Sequence, residues 1–253
     1  MTLRLENKIA VITGGNNGIG LATAKEFAAQ GARVVIMARS KEKAIKAIAE
    51  IGHGAIALTG DVTSMSSIKN FYAEVSARLG KIDILFANAG IVGFTPLDAT
   101  DESLFDAISN TNFKGVYFTV SYAVPHLNQG ASVVLTSSIA NEIGIEELGV
   151  YSATKAAVRS LARSFTPALA KINARINVLS PGPVHTGILE AAGVARDLSE
   201  TMVSGLASAG SAGRVGKVEE MAKVALFLAS QDSSYMYGSE IQVDGGINQT
   251  RFA

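Results

Sequence analysis

The segment LTSSIANEIGIEELGVYSATKAAVRS, residues 135–160, contains side chains that could transfer a proton to a carbonyl oxygen. Tyr151 and Lys155 are four residues apart, so on a helix they lie about one turn apart on one face. A free phenol has a pKa of about 10, too high for an efficient base near neutral pH. An ammonium about 4 Å away favours the phenolate by roughly 1–4 kcal/mol. The spacing therefore predicts that Lys155 lowers the pKa of Tyr151 by roughly one to three units.

A pair of serines, Ser137 and Ser138, ends the apolar run that precedes this tyrosine. A hydroxyl placed there could donate a hydrogen bond to the same carbonyl oxygen as negative charge develops on it. An isolated tyrosine and lysine at this spacing are more often a surface pair on a helix. The chemical interpretation therefore depends on whether the rest of the chain supplies a redox cofactor.

A glycine-rich turn, TGGNNGIG, follows the first apolar run of the chain. Its glycines, Gly14, Gly18 and Gly20, permit a tight turn and a close approach of the backbone to a ligand. A helix that begins there offers unpaired N–H groups and the positive end of its dipole to a phosphate. The turn alone could be purely structural, but its place after the first strand predicts a dinucleotide site.

The end of the second apolar run discriminates between NAD and NADP. Ala38 stands where an acidic residue would accept a hydrogen bond from the ribose 2′-hydroxyl, and Arg39 follows it, with Lys41 and Lys43 nearby. A guanidinium suits bidentate binding of a 2′-phosphate. The pattern predicts NADP(H) in preference to NAD(H); the alternative is that Arg39 is a solvated residue at a helix start.

Apolar runs that alternate with amphipathic segments predict the elements that position these residues. Runs without polar alternation, separated by helices, are typical of a parallel sheet covered on both faces. Right-handed crossovers then give a doubly wound, Rossmann-like α/β fold in one domain, residues 1–253. Strands are predicted at residues 8–15, 33–38, 54–62, 82–90, 131–138, 174–182 and 239–246, and helices at 19–32, 41–52, 67–80, 152–170 and 218–230.

Ligands of such a sheet bind at the carboxyl ends of its strands, where the strand order reverses. Asp61, in GDV, could accept a hydrogen bond from an adenine amino group, and Asn88, in FANAG, could brace neighbouring strands. A turn-forming role is the alternative for both residues.

Composition excludes several other classes of function. The 22 basic and 22 acidic residues cancel, which gives no electrostatic basis for binding nucleic acid or an anionic membrane. Cysteine is absent and the three histidines are far apart, so no metal site is predicted. No apolar segment has the length of a membrane span, and the N-terminal residues lack the apolar run of a signal peptide. A cytoplasmic protein is expected.

Five motifs in this order and spacing, TGGNNGIG, NAG, the serine pair, YSATK and SPGPVHTG, resemble the short-chain dehydrogenase/reductase superfamily in its single-domain branch. The resemblance extends over nearly the whole chain, to the terminal VDGG. More narrowly, the segments VLTSS, YSATKAAVRSLARS and INVLSPGP resemble bacterial NADPH-dependent alcohol dehydrogenases and carbonyl reductases.

The resemblance implies roles for individual residues. Tyr151 matches the acid–base, Lys155 the residue that lowers its pKa and binds the nicotinamide ribose, and Ser138 the serine that orients the substrate, with Ser137 the less favoured choice. Asn112 matches an asparagine that holds a water molecule in a proton relay from Lys155. The implied cofactor contacts include residues of the glycine turn and the residue after Asp61. They are Gly14, Asn16, Asn17, Gly18, Ile19, Gly20, Arg39, Asp61, Val62, Asn88, Gly90, Tyr151, Lys155, Pro181, Gly182, Val184 and Thr186.

The implied reaction is reversible hydride transfer between NADP(H) and a ketone or secondary alcohol. The Gly-, Ala- and Ser-rich residues 185–214 are expected to form a lid over the substrate, with apolar contacts from Ile188, Leu189, Val194, Met202 and Leu206. The resemblance also implies a homotetramer. A 3-oxoacyl-(acyl carrier protein) reductase, a sugar or polyol dehydrogenase and a non-catalytic NADP-binding sensor are the alternatives.

Overall fold

Seven parallel strands form a single sheet in the order β3-β2-β1-β4-β5-β6-β7 in the computed structural model, which describes residues 3–250. The predicted Rossmann-like α/β fold is confirmed. The strands are β1 (Ile9–Thr13), β2 (Arg33–Ala38), β3 (Ile56–Thr59), β4 (Ile82–Ala87), β5 (Leu127–Thr136), β6 (Arg175–Pro181) and β7 (Glu240–Val243).

Helices cover both faces of this sheet. Strand β1 is buried along its whole length because its alternate side chains enter two separate apolar cores, with Val11 and Val35 in one and Ile12 and Ile36 in the other. The helices are α1 (Gly18–Ala29), α2 (Lys41–Ile51), α3 (Met65–Leu79), α4 (Glu102–Ser109), α5 (Gly115–Ala123), α6 (Gly149–Ala170), α7 (Ile188–Ala191), α8 (Arg196–Ser208) and α9 (Val218–Ala229).

The strand and helix pattern predicts no element between residues 91 and 130, yet α4 and α5 lie there. Asp101 caps α4, since its carboxylate accepts hydrogen bonds from the backbone N–H groups of Ser103 and Leu104 at 2.6 and 3.3 Å. A hydrogen bond from the side chain of Ser103, followed by these two backbone bonds, lowers the pKa of the Asp101 carboxyl. A single π-helical turn, Asn110–Lys114, joins α4 to α5. The capping aspartate is the sequence signal that marks this start.

The order of the strands places the site. The chain runs outward from β1 to β2 and β3, then returns to pair β4 with the other edge of β1 and continues to β7. The carboxyl ends of β1 and β4 therefore diverge into crossovers on opposite faces, which leaves a crevice between them. Within residues 3–250, no helix combines the length and apolar character needed to cross a bilayer.

Candidate active site

One cleft runs along the carboxyl ends of the strands and brings the predicted residues together. Every predicted catalytic and cofactor-contacting residue lines it except Gly20 and Asn112, which lie behind its wall. Lys43 also lines the cleft, whereas Lys41 does not. The glycine turn, the end of β2 and the Tyr151 region are therefore parts of one continuous surface.

The glycine turn needs glycine for two different reasons. Gly14 has φ +65°, a left-handed conformation that side chains disfavour. Gly20 instead sits against backbone, because a Cβ placed there would lie 2.3 Å from the carbonyl oxygen of Gly14 and 2.6 Å from Nδ2 of Asn88. This contact packs the first turn of α1 onto the end of β1 and fixes the curvature of the turn.

The first turn of α1 is left without a cap, unlike the next three helices. Ser40, Ser64 and Asp101 cap α2, α3 and α4 through their side-chain oxygens. At α1, Asn17 makes no cap hydrogen bond and no acidic side chain lies in the first turn. Nδ2 of Asn17 donates instead to the carbonyl oxygen of Thr186 at 3.0 Å. The N–H groups of α1 thus fit a pyrophosphate in place of a side-chain cap.

Asn88 joins the ends of three strands at the floor of the cleft. Its Nδ2 donates to the backbone carbonyls of Thr13 and Gly14 at 3.3 and 3.4 Å, and its Oδ1 accepts from Oγ1 of Thr136 at 3.3 Å. The hydroxyl of Thr13 accepts in turn from the backbone N–H groups of Asn88 and Ala89. The amide therefore holds β1, β4 and β5 at a fixed separation.

The end of the cleft beside β2 carries positive charge. Arg39 is exposed, lines the cleft and forms no ion pair among the described residues. Asp61 forms an Asx turn, with Oδ1 accepting from the backbone N–H and the hydroxyl of Thr63, both at 2.8 Å. Asp61 thus combines the turn-forming role with a place in the cleft wall.

Ser138, Tyr151 and Lys155 converge at the other end of the cleft. Tyr151 and Lys155 share one face of α6, with the lysine Nζ 5.5 Å from the centre of the phenol ring. Nζ donates to the carbonyl oxygen of Thr136 at 3.0 Å. The hydroxyl of Ser138 lies near the Tyr151 phenol and acts to lower its pKa. A hydroxyl, a phenol and an ammonium therefore surround one point above the cleft floor.

Burial changes the pKa of Tyr151 in the direction opposite to the one predicted from the neighbouring Lys155. In the chain alone the pKa of Tyr151 is raised, because desolvation outweighs the lowering effect of the Ser138 hydroxyl. Desolvation also lowers the pKa of Lys155 to about 8. The predicted downward shift for Tyr151 is therefore wrong for the chain alone, since burial penalises the charged forms of both groups.

The buried lysine makes the stability of the fold depend on pH. Between pH 8 and 10.5 the unfolded chain holds a proton on Lys155 that the folded chain has released, so the free energy of unfolding rises with pH in this window. From pH 8 to pH 9.5 we expect a rise of about 2 kcal/mol that Lys155→Met lacks. Urea unfolding of both proteins at several pH values measures it. Parallel stability curves for the two proteins would contradict this expectation.

Asn112 lies within the π-helical turn and is fully buried. Its side-chain amide pairs with the backbone of Ile91 in both directions, at 2.9 and 2.8 Å, and donates to Oγ1 of Thr154 at 3.3 Å. A Cβ added at Gly90 would lie 3.3 Å from Oδ1 of Asn112 and 3.5 Å from Nζ of Lys155. The missing side chain of Gly90 thus leaves a space that both polar atoms border.

Local hydrogen bonds distinguish the two serines. The hydroxyl of Ser137 donates to the carbonyl oxygen of Lys155 at 2.8 Å and is buried. The hydroxyl of Ser138 accepts from the N–H of Ala140 and retains its proton for the cleft. This arrangement favours Ser138 as the serine that contacts a substrate and gives Ser137 a structural role.

Two threonines near the predicted catalytic residues have no counterpart in the sequence-based prediction. Thr136 supplies the carbonyl oxygen that holds the lysine ammonium, and Thr154 bonds both Asn112 and the carbonyl oxygen of Tyr151. Thr154 lies within YSATK, but the prediction from this motif uses only the four-residue spacing of tyrosine and lysine. Thr136 holds the lysine through its backbone, so its residue type carries no signal for this contact.

The predicted lid meets the cleft only at its beginning. Among residues 185–214, Thr186, Gly187, Ile188, Ala191 and Ala192 line the cleft. Of the five apolar side chains expected to face a substrate, only Ile188 does so. The others lie on or near α7 and α8, and Met202 is 38% exposed.

Comparison with known proteins places the chain among oxidoreductases. A family model described as Enoyl-(Acyl carrier protein) reductase matches residues 14–248. The chain is 43% identical over 248 residues to Oxidoreductase asL5 of Sarocladium schorii, covering 97% of this chain and 98% of that protein. It is 36% identical over 254 residues to the 3-oxoacyl-[acyl-carrier-protein] reductase FabG of Thermotoga maritima, covering 96% of this chain and 99% of that one.

A solved structure shows the same architecture. The structure described as a short chain dehydrogenase/reductase family protein superposes with a TM-score of 0.84 at 36% sequence identity. The superposition covers 96% of this chain and 98% of the other.

Proposed function

The chain belongs to the short-chain dehydrogenase/reductase superfamily, and on that premise we propose that it is an NADP(H)-dependent reductase of ketones. The observation that carries this proposal is the convergence of Ser138, Tyr151 and Lys155 at one end of a cleft whose other end holds the glycine turn and Arg39. When bound, the nicotinamide would supply hydride. The chain supplies the proton and the geometry.

Each of the three side chains has one task in this proposal. The phenol of Tyr151 donates its proton to the carbonyl oxygen as the carbon accepts hydride, so that ketone, hydride and proton give a secondary alcohol. Ser138 donates a hydrogen bond to the same oxygen and fixes its position. Lys155 favours the phenolate that remains and binds polar groups at the cleft floor.

The raised pKa of Tyr151 supports its role as the proton donor when the carbonyl is reduced. Burial keeps the phenol protonated near neutral pH, which is the form that donates to a carbonyl oxygen. Asn112 and Lys155 border the space beside Gly90, where a water molecule could return a proton to the phenolate. This role for Asn112 is part of the proposal.

The proposed cofactor preference rests on Arg39. Arg39→Ala is expected to raise the KM for NADPH about tenfold, because a charge-assisted hydrogen bond to the 2′-phosphate is lost, and to leave kcat/KM with NADH within about twofold. Lys41→Ala is the matched control, since Lys41 is two residues away but does not line the cleft. Equal effects of Arg39→Ala on both cofactors would refute the assignment.

Initial rates test the proposed function directly. NADPH and NADH are compared over aryl and alkyl ketones, a β-keto ester, a ketose and an acetoacetyl thioester. Rapid oxidation of NADPH with simple ketones is the expected result. Turnover of the ketose alone would identify a sugar or polyol dehydrogenase, and tight NADPH binding without any turnover would identify a sensor.

A second candidate function is reduction of 3-oxoacyl thioesters carried by an acyl carrier protein. The similarity to the Thermotoga maritima enzyme favours it. Against it, residues 185–214 carry Glu190, Asp197 and Glu200 against two basic residues, so this segment lacks the excess positive charge that would bind an acidic carrier protein. Arg196 and Arg214 are each paired within the chain, with Glu200 and Glu220. Turnover of the thioester alone would establish this candidate.

A further inference from the structure

The carboxylate of Glu240, at the start of β7, is bonded to three separate parts of the fold. Its Oε1 accepts from Nδ2 of Asn141 and from Oγ of Ser180, both at 2.5 Å. Its Oε2 accepts from Nε of Arg159 at 2.7 Å. The side chain is 9% exposed and does not line the cleft. A carboxylate with so little exposure must be compensated by hydrogen-bond donors or positive charge, and all three partners of Glu240 are donors.

Each partner is close in sequence to a cleft residue on a different element. Asn141 ends the short helical turn that begins directly after Ser138. Arg159 follows Lys155 by one turn of α6. Ser180 is the penultimate residue of β6, and the end of this strand forms part of the cleft wall. One carboxylate therefore connects three elements: the turn after Ser138 (Ile139–Asn141, the serine turn), helix α6 and the end of β6.

A second link runs from the same carboxylate to the backbone of the catalytic lysine. Asn141 Nδ2 also donates to Oγ of Ser137 at 3.2 Å, and that hydroxyl donates to the carbonyl oxygen of Lys155 at 2.8 Å. The Oδ1 atom of Asn141 is buried without a partner. Because a carboxylate can only accept hydrogen bonds, Glu240 requires the Asn141 amide to point its Nδ2 group toward it. This orientation leaves Oδ1 of Asn141 unpaired.

We propose that Glu240 is a positioning residue that sets the distance between Ser138 and the Tyr151–Lys155 pair. The proposal rests on the proposed function, because it assigns Glu240 an effect on the reaction. Without the carboxylate, the serine turn and α6 lose their shared acceptor and can shift relative to each other. Small displacements of reacting groups have large effects on rate.

Glu240→Gln tests this role, because glutamine keeps the size of the side chain but replaces one acceptor by a donor and removes the charge opposite Arg159. The expected result is a fall in kcat of about tenfold or more with the KM for NADPH within about twofold. In the absence of substrate, amide hydrogen exchange of residues 137–142 is expected to accelerate at least about tenfold.

Asp83→Asn is the matched control. Asp83, on β4, also has three donors, namely the N–H of Ile9 at 2.9 Å, Nζ of Lys8 at 3.2 Å and Nδ2 of Asn128 at 3.1 Å. Its side chain is 16% exposed, and it lies at the opposite end of the sheet from the cleft. Asp83→Asn is expected to lower thermal stability while leaving kcat within about twofold.

Equal losses of kcat in the Glu240→Gln and Asp83→Asn proteins would overturn the proposal, because general destabilisation would then account for both. Unchanged kcat and unchanged exchange in Glu240→Gln would overturn it as well. If Glu240→Gln does not fold, Asn141→Ala cuts the same link and is expected to lower kcat to a similar extent. Full activity of Asn141→Ala would then refute the proposal.

The two proposals fail in different ways. A wild-type protein that oxidises NADPH with none of the carbonyl compounds would refute the proposed function. Hydrogen exchange would still decide the role of Glu240 in holding the serine turn, since that measurement requires no turnover. Accelerated exchange confined to residues 137–142 supports the positioning role, and exchange identical to wild type refutes it.

Discussion

Tyr151→Phe is expected to lower kcat for ketone reduction by about 10²–10⁴-fold, the usual contribution of a positioned acid. The substitution removes only the oxygen that donates the proton, and the ring still fills its place on α6. Affinity for NADPH, measured by fluorescence titration, should stay within a few-fold. Steady-state rates with a ketone that the wild-type protein reduces measure the loss.

Tyr72→Phe is the matched control for this experiment. Tyr72 is fully buried, whereas Tyr151 is partly exposed to the cleft, and desolvation raises the pKa of both phenols. Its hydroxyl donates to the carbonyl oxygen of Thr119 at 2.8 Å, between α3 and α5 and away from the cleft. Tyr72→Phe should cost about 1 kcal/mol of stability and leave kcat unchanged. Substantial activity in Tyr151→Phe would remove the tyrosine from the proposed mechanism.

Gly20→Ala is expected to have the largest effect on the cofactor end of the site. The new Cβ would lie 2.3 Å from the carbonyl oxygen of Gly14, and because that atom is backbone, it can move only by opening the glycine turn. We expect a loss of about 3 kcal/mol in the free energy of unfolding and a fall of roughly 10 °C in Tm. Affinity for NADPH should fall at least about tenfold. Thermal denaturation and fluorescence titration measure the two effects.

Gly205→Ala separates this clash from the general effect of replacing a glycine in a helix. Gly205 lies within α8, and a Cβ placed there would have nothing within 4 Å. Alanine at such a position typically stabilises a helix by about 0.5–1 kcal/mol. A Gly20→Ala protein as stable as wild type, with the same affinity for NADPH, would show that the close contact does not shape the turn.

The strands could be predicted from the sequence because their apolar runs have no polar alternation. Strand β1 is an example: all five residues of Ile9–Thr13 are buried, and the run is visible directly in IAVIT. The glycine turn and the tyrosine–lysine spacing are local patterns of the same kind. Each lies within one short segment, so no tertiary information is needed to recognise it.

The interactions that could not be predicted join residues far apart in the chain. Glu240 and Asn141 are separated by 99 residues, and Asn17 and Thr186 by 169. Neither pair has a local signature. The pKa of Tyr151 was mispredicted for the same reason, since burial depends on the elements that pack around the phenol. Helices α4 and α5, which connect β4 to β5, were missed even though the capping residue Asp101 marks the start of α4.

The strand order also sets when the site can be completed during protein synthesis. The residues that line the cleft all lie between positions 14 and 192, so they leave the ribosome well before Glu240 does. Strand β7, which carries that carboxylate, pairs with β6 at the edge of the sheet and is made after the other six strands of that sheet. A nascent chain can thus assemble the half that holds the glycine turn first, whereas the turn after Ser138 gains its anchor only once β7 has been made.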